Sequence, residues 1–124
     1  MANKLTNLHI ECMAKEIRDL LLKEEMWMDV TIYFNGKAFS TDDRKGTFAY
    51  NDPKKLIVLQ DMNPADYLDY SGGVIDMSFE GYFYQCINGY SYRSTLRKFE
   101  KILKKYDCYW EQGASWSLSV YPIK

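Results

Sequence analysis

The chain has 124 residues, with 16 Lys and Arg against 17 Asp and Glu, which gives a formal net charge of −1. Because 47% of the residues are hydrophobic and 27% are charged, the composition predicts a single folded domain over residues 1–124 and excludes a disordered chain. No stretch approaches the roughly 18 apolar residues needed to cross a bilayer, so the sequence predicts no contact with a membrane.

The first predicted element is a helix that begins at Thr6 or Asn7 and ends near Glu24 or Glu25. Apolar residues recur along it at spacings of three and four, as in an amphipathic helix. They are Ile10, Met13, Ile17, Leu20 and Leu21. The leucines at 20–22 lie inside this charged helix, so they do not form the core of a signal peptide.

A β-hairpin is predicted next. Residues 30–34 alternate in polarity and are followed at once by Asn35-Gly36, the pair that favours a type I′ turn between antiparallel strands. The chain should therefore return as a second strand at residues 37–41. After a turn at residues 42–45, a third short strand is expected at residues 47–50, and residues 57–59 form a strand or a buried segment.

The second half of the chain mixes short helices and strands. Asn63-Pro64 begins a short helix with Asp66 at its positive end, and Gly72-Gly73 ends it. Residues 74–79 alternate as a half-buried strand, and residues 82–88 favour a short helix that ends at Gly89. Ser91 is the predicted cap of a C-terminal helix whose apolar stripe is Tyr92, Leu96, Phe99, Leu103 and Tyr106. Strands at 109–111 and 115–121 complete the chain.

Together these elements predict an α+β fold. It has a largely antiparallel sheet, on which an N-terminal helix, a short middle helix and a basic C-terminal helix pack, and it ends in a β-hairpin. The order of the strands in the sheet stays open.

Charge is divided unevenly along the chain. From residue 56 to residue 92 there is no Lys or Arg, and carboxylates and tyrosines share that stretch. The predicted partner-binding patch consists of Asp61, Asp66, Tyr67, Asp69, Tyr70, Asp76 and Glu80. An acidic, tyrosine-rich surface of this kind suits docking onto a basic surface of another protein.

The residues that follow carry the opposite charge. Arg93, Arg97, Lys98, Lys101, Lys104 and Lys105 lie on the predicted C-terminal helix, where spacings of four, four and three place several of them on one stripe. This stripe is the alternative site, since it could lie along the phosphates of a nucleic acid. A solvated face of an amphipathic helix has the same pattern.

Catalytic chemistry is not indicated. The only histidine, His9, lies at the start of the first helix and is interpreted as a surface or capping residue. Asp42-Asp43 is interpreted as a solvated turn, and Asp61, Asp66 and Asp69 as capping and surface carboxylates in preference to a metal site. Three cysteines at widely separated positions predict buried thiols in a reducing cytoplasm. We therefore expect no enzyme activity, no cofactor and no metal.

Part of the chain resembles small uncharacterised accessory proteins of bacterial conjugative elements and plasmids. The likeness spans residues 56 to 123, and it rests on residues 61–67, 71–81 and 106–113 together with Trp116. Such accessory proteins include counter-defence inhibitors, among them anti-CRISPR proteins, which typically bind a nuclease complex and do not catalyse a reaction. The resemblance carries no site residues over to this chain.

The leading hypothesis is thus a non-enzymatic cytoplasmic protein that binds another protein. The resemblance implies more specifically an anti-CRISPR-like inhibitor whose partner is a nuclease or another bacterial nucleoprotein defence complex. The alternative is a small nucleic-acid-binding module that uses the basic helix. The oligomeric state stays open, with apolar surface around Trp27 or Trp110 as a candidate homodimer contact.

Overall fold

The computed structural model describes residues 5–123. The α-helices are α1 (Asn7–Lys23), α2 (Gly81–Ile87) and α3 (Arg93–Lys105), and a 3-10 helix spans Pro64–Asp66. The strands are β1 (Val30–Phe34), β2 (Lys37–Ser40), β3 (Ile57–Leu59), β4 (Ile75–Phe79), β5 (Cys108–Gln112) and β6 (Ser117–Pro122). None of the helices in this range is both long and apolar enough to span a bilayer.

The six strands form one sheet in the order β3-β2-β1-β4-β6-β5, and every neighbouring pair is antiparallel. This confirms the predicted α+β class, the N-terminal helix and the closing hairpin, which is β5–β6. The strand order depends on β4 pairing between β1 and β6. Both of these contacts are long-range, so local sequence patterns do not encode them.

The predicted start of α1 is confirmed. Thr6 accepts a hydrogen bond from the His9 backbone, and the His9 ring accepts one from the Thr6 backbone, which completes a capping box. The single histidine is thus an exposed capping residue, as predicted. Cys12 on the same helix is exposed, so its predicted burial is wrong, whereas Cys86 and Cys108 are buried.

The main hydrophobic core lies between the sheet and the three α-helices. Residues that alternate along β1, β4 and β6 point toward the helices, and they include Ile32, Met77 and Leu118, all fully buried. We call this side of the sheet the helix face. Trp27 belongs to this core and is only 1% exposed, so the expectation that it supplies surface for a homodimer is wrong.

The β1–β2 hairpin forms as predicted. Asn35 and Gly36 both have positive φ, as a type I′ turn requires. The strand expected at residues 47–50 is wrong, because only an isolated bridge between Asp42 and Phe48 occurs there. β3 instead takes the position beside β2.

The predicted cap of α3 is also wrong. The N-cap residue is Tyr92, which adopts the left-handed conformation with φ 64° and makes no capping hydrogen bond through its side chain. Ser91 is directed instead toward Gln85 on α2, with 3.4 Å between the two side-chain oxygens. The short connection between α2 and α3 determines where α3 begins, and it overrides the preference of serine for the N-cap position.

The opposite side of the sheet, which we call the polar face, carries two rows of side chains across the strands. Ser40, Thr31, Ser78 and Ser117 are register partners in the first row. Ala38, Tyr33, Asp76 and Ser119 form the second row. The polar face is therefore rich in hydroxyl groups, and none of the α-helices within residues 5–123 covers it.

Candidate functional site

A segment without regular strands covers part of the polar face. Residues 60–73, which we call the cover segment, cross the second row of side chains and contain the short 3-10 helix. Met62 and Leu68 of this segment are buried against Tyr33 and Ala38, in a small hydrophobic cluster separate from the main core. The cover segment thus places its remaining side chains on the outside of the polar face.

Most of the predicted acidic patch lies on this outer surface. Asp61, Asp66 and Asp69 on the cover segment are exposed, and so is Glu80 just after β4. Asn63 caps the 3-10 helix by accepting a hydrogen bond from the Ala65 backbone. The capping interpretation of this region is confirmed, and its carboxylates remain in solvent.

Asp76 does not belong to the acidic patch. Its side chain is only 2% exposed, and Ser119 donates a hydrogen bond to it over 2.5 Å. The backbone N–H groups of Gly72 and Gly73 also donate to this carboxylate. Asp76 therefore anchors the end of the cover segment to β4 and β6, and no partner can reach it, which corrects its place among the predicted site residues.

The two predicted tyrosines of the patch are exposed and positioned by packing. Tyr67 is 48% exposed and stacks on Tyr33, with ring centroids 5.9 Å apart. The guanidinium of Arg44 lies 5.1 Å from the centre of the Tyr67 ring, a cation–π contact. Tyr70 is 59% exposed and packs over Gly113, where an added Cβ would lie 2.7 Å from the Tyr70 Cβ.

Beside the cover segment, the first row of the polar face remains open as a cleft of about 270 Å³, which we call the polar cleft. Thr31 and Ser78 contribute hydroxyl groups to its floor, and Phe48 and Trp116 line its sides. Sequence reasoning missed this cleft, because its parts come from β1, β4, the connection after β2 and the residue before β6. The exposure of Phe48, which marks the cleft, is visible only in the structure, so no local sequence pattern pointed to it.

Three carboxylates line the polar cleft, from Asp29, Asp42 and Glu80. Tyr50 donates a hydrogen bond of 2.6 Å to Asp29, and this bond raises the pKa of the Tyr50 phenol to about 12. Asp42 accepts a hydrogen bond from the Arg44 backbone in the predicted turn. Glu80 extends the acidic patch from the cover segment to the cleft.

The basic residues of α3 lie on the other side of the molecule. All six predicted side chains are exposed, while Phe99 and Leu103 of the same helix are buried in the main core. Lys98 pairs with Glu24 and Lys105 with Glu16. Within residues 5–123, no carboxylate lies within ion-pair distance of Arg93, Arg97, Lys101 or Lys104, which together form the outward stripe.

The paired part of α3 is tied to α1. Burial acts to raise the pKa of the Glu16 carboxyl. The hydrogen bonds that Glu16 accepts from Tyr106 and Lys105 outweigh this effect, so its pKa is lowered. Hydrogen bonds from Thr95 and Lys98 likewise lower the pKa of Glu24. Burial and the Glu16 hydrogen bond raise the pKa of Tyr106 to about 12. These groups hold the two helices together.

The acidic and basic poles do not neutralise each other. The ion pairs found between residues 5 and 123 use Glu11, Glu16, Glu24 and Asp19, and none of them involves a carboxylate of the acidic patch or the polar cleft. The acidic pole lies on the polar face and the basic stripe lies beyond the helix face. Both poles are therefore open to solvent on opposite sides of the sheet.

The remaining reactive groups have structural surroundings. Burial raises the pKa of the Cys86 thiol to about 11 and also raises the pKa of Cys108, which disfavours the reactive thiolate. In the part of the chain that the structure describes, no three His, Cys, Asp or Glu side chains come together as a group that could hold a metal ion.

Comparison of the chain with models of protein families, with curated proteins and with solved structures gives no match.

Proposed function

We propose that this protein is a non-catalytic binding protein that docks, through its acidic polar face, onto a basic surface of another protein. The observation that carries the proposal is the concentration of exposed carboxylates and aromatic rings on one face, without ion pairs to the protein's own cations within residues 5–123. Complementary charge of this kind accelerates association and selects partners.

The size of the face is compatible with such a contact. A standard interface buries roughly 800 Å² on each partner, and the whole described surface measures 7314 Å². Tyr67 and Tyr70 supply rigid aromatic contact area at low entropic cost, since each is already held by neighbouring residues. The carboxylates around them provide the polar rim.

The finer proposal concerns the partner. A nucleic-acid-binding groove is an extended basic surface, and an acidic face that occupies it would compete with the nucleic acid. Together with the resemblance to accessory proteins of conjugative elements, this favours a nuclease or nucleoprotein defence complex, and inhibition by occupancy of its groove.

The test is capture of partners from a nuclease-treated bacterial lysate, followed by binding measurements with the purified partner. We compare Asp66→Asn/Asp69→Asn with Glu25→Gln/Asp107→Asn, which removes the same charge from exposed positions outside the acidic face. We expect the first variant to weaken binding about tenfold and the second to leave it unchanged, since rim charges are worth up to about 1 kcal/mol each. Equal affinities for both variants would contradict the proposal.

A second function is favoured by the outward stripe of α3. Arg93, Arg97, Lys101 and Lys104 are exposed cations without an ion pair among the described residues, so all four are available to phosphates. If they contact nucleic acid, the logarithm of the affinity should fall with the logarithm of salt concentration with a slope of about −3 to −4.

Fluorescence anisotropy with labelled RNA and DNA tests this second function. Arg97→Glu/Lys101→Glu should abolish binding, whereas Lys54→Glu/Lys55→Glu, an identical charge change in the exposed β2–β3 connection, should reduce it only slightly. If the unmodified protein binds neither RNA nor DNA at 50 mM salt, the nucleic-acid-binding function is contradicted.

A further inference from the structure

The polar cleft brings hydroxyl groups, carboxylates and aromatic rings together in one concave site. Its floor is the hydroxyl row of the sheet, where Thr31 is 8% exposed, and its volume is about 270 Å³. This volume lies just below the usual range of about 300 to 1,000 Å³ for small-molecule pockets. The cleft is therefore of a size suited to one long side chain.

Aromatic rings on its sides are available to an incoming group. Phe48 is 56% exposed, and its nearest aromatic neighbour is Tyr50, with ring centroids 5.8 Å apart. Trp116 is partly buried against the cover segment cluster and lines the cleft from the side of β6. The exposed ring of Phe48 therefore offers apolar contact surface in the lining of the cleft.

The polar groups of the cleft select for a cation. Asp29, Asp42 and Glu80 line it, and none of them lies within ion-pair distance of a Lys or Arg in residues 5–123. The one cation in the lining, Arg44, stacks over Tyr67. The guanidinium of this lining residue thus already rests against an aromatic ring of the polar face, while the three carboxylates of the lining have no ion pair among the described residues.

We infer that the polar cleft receives an arginine side chain of the docked protein, an inference that rests on the proposed function of the acidic face. The planar guanidinium stacks between aromatic rings and donates paired hydrogen bonds to a carboxylate. Its aliphatic stem packs against Phe48, while Thr31 and Ser78 accept hydrogen bonds from the remaining N–H groups. A lysine ammonium, which is compact and strongly hydrated, uses this arrangement less well.

The first experiment uses N-acetyl-arginine amide as the probe and backbone amide NMR of the whole protein as the readout. We expect saturable binding with a Kd near 1 mM, the weak affinity of a single side chain, and shifted signals at Thr31, Ser78 and Trp116 but not on α3. N-acetyl-citrulline amide, which is neutral and nearly the same shape, should bind at least tenfold more weakly. Equal binding of arginine and citrulline probes, or shifts confined to other surfaces, overturns the inference. N-acetyl-lysine amide should also bind more weakly than the arginine probe, and equal binding of the two would likewise overturn the inference.

The second experiment separates this inference from the proposed function. Glu80→Gln and Phe48→Ala should each raise the Kd of the arginine probe about fivefold, and the matched Glu25→Gln should not change it. All three positions are exposed, and circular dichroism checks that each variant is folded. If Asp66→Asn/Asp69→Asn weakens partner binding but Glu80→Gln and Phe48→Ala do not, the proposed function of the acidic face is supported and the arginine site is contradicted. If the arginine probe binds in the polar cleft but no protein partner is found, the proposed function is contradicted, and the cleft is still supported as a binding site for a guanidinium group.

Discussion

The two sides of the sheet differ in how their charges are used. On the helix face side, Glu16 and Glu24 of α1 pair with Lys105 and Lys98 of α3, so part of the charge stabilises helix packing. On the polar face, no such pairs are found among the described residues, and the exposed carboxylates surround aromatic rings and a cleft. Charged groups that form ion pairs within the protein stabilise its fold. Exposed charged groups without such a pair remain available to a partner.

Asp76 shows that this distinction does not follow sequence position. It lies among the acidic residues of the 56–92 stretch, yet it is buried and hydrogen-bonded like a structural group. The first two predictions therefore test the anchoring of the cover segment, and the later ones test weaker contacts on each side.

The largest expected effect is that of Gly73→Ala. An added Cβ would lie 2.5 Å from the Val120 carbonyl oxygen and 2.8 Å from that of Ile75, and both are backbone atoms of paired strands that cannot move aside. We expect the free energy of unfolding to fall by about 3 kcal/mol, measured by urea denaturation. Ser71→Ala in the same segment is the control and should change it by less than about 0.5 kcal/mol. A stable Gly73→Ala protein would show that the anchor is looser than described.

Asp76→Ala should rank second. It leaves two backbone N–H groups and the Ser119 hydroxyl without their acceptor inside the structure, at a cost of about 2 to 3 kcal/mol. Asp66→Ala, on the exposed surface, should cost less than about 0.5 kcal/mol. Denaturation of both variants measures the difference. Similar losses for the two carboxylates would erase the contrast between structural and surface acidic residues.

Tyr67→Ala should have a smaller effect on stability. It removes the stacking on Tyr33 and the contact with Arg44, which together contribute about 1 kcal/mol. Because the cover segment is held by its own small cluster, amide hydrogen exchange should accelerate in residues 60–73 and not in α1 or α3. Tyr90→Ala, which removes a 73% exposed ring elsewhere, serves as the comparison. Uniform acceleration over the whole chain would argue against a separately held cover segment.

The smallest effect concerns pH and the α1–α3 contact. Folding raises the pKa of Tyr106 from 10.0 to about 12. The contribution of the protonated phenol to the free energy of unfolding is therefore fully present below pH 10 and is lost as the pH rises toward 12. The pKa values of Glu16 and Glu24 are lowered, so their contribution is present above pH 4.5 and is lost as the pH falls below it. Tyr106→Phe should flatten the alkaline side of the stability profile, and Glu24→Gln the acidic side. Profiles unchanged by both variants would contradict this origin.

Local patterns in the sequence predicted the elements whose signals are local. The stripe on α1, the Thr6 cap with His9, the Asn35-Gly36 turn and the Asn63 cap all depend on residues within a few positions of one another. The expected strand at 47–50 and the Ser91 cap failed, because β3 occupies the edge beside β2 and the α2–α3 connection imposes its own backbone geometry.

The site was predictable only in part, for the same reason. The exposure of Asp66, Asp69 and the α3 cations follows from composition and helical spacing. The burial of Asp76 and the existence of the polar cleft depend on β4 pairing with both β1 and β6, contacts that join residues about 45 positions apart. Trp27 was misplaced because a tryptophan between two elements has no periodic neighbours that reveal its direction.

The separate small cluster under the cover segment has an evolutionary consequence. Met62 and Leu68 rest on Tyr33 and Ala38 and share no residue with the core that holds the helices. Substitutions at the outward positions of residues 60–73 can accumulate without repacking that core. If the acidic face binds a partner as we propose, substitutions in this one short stretch can adapt it to a changing partner surface, while the rest of the molecule keeps its shape.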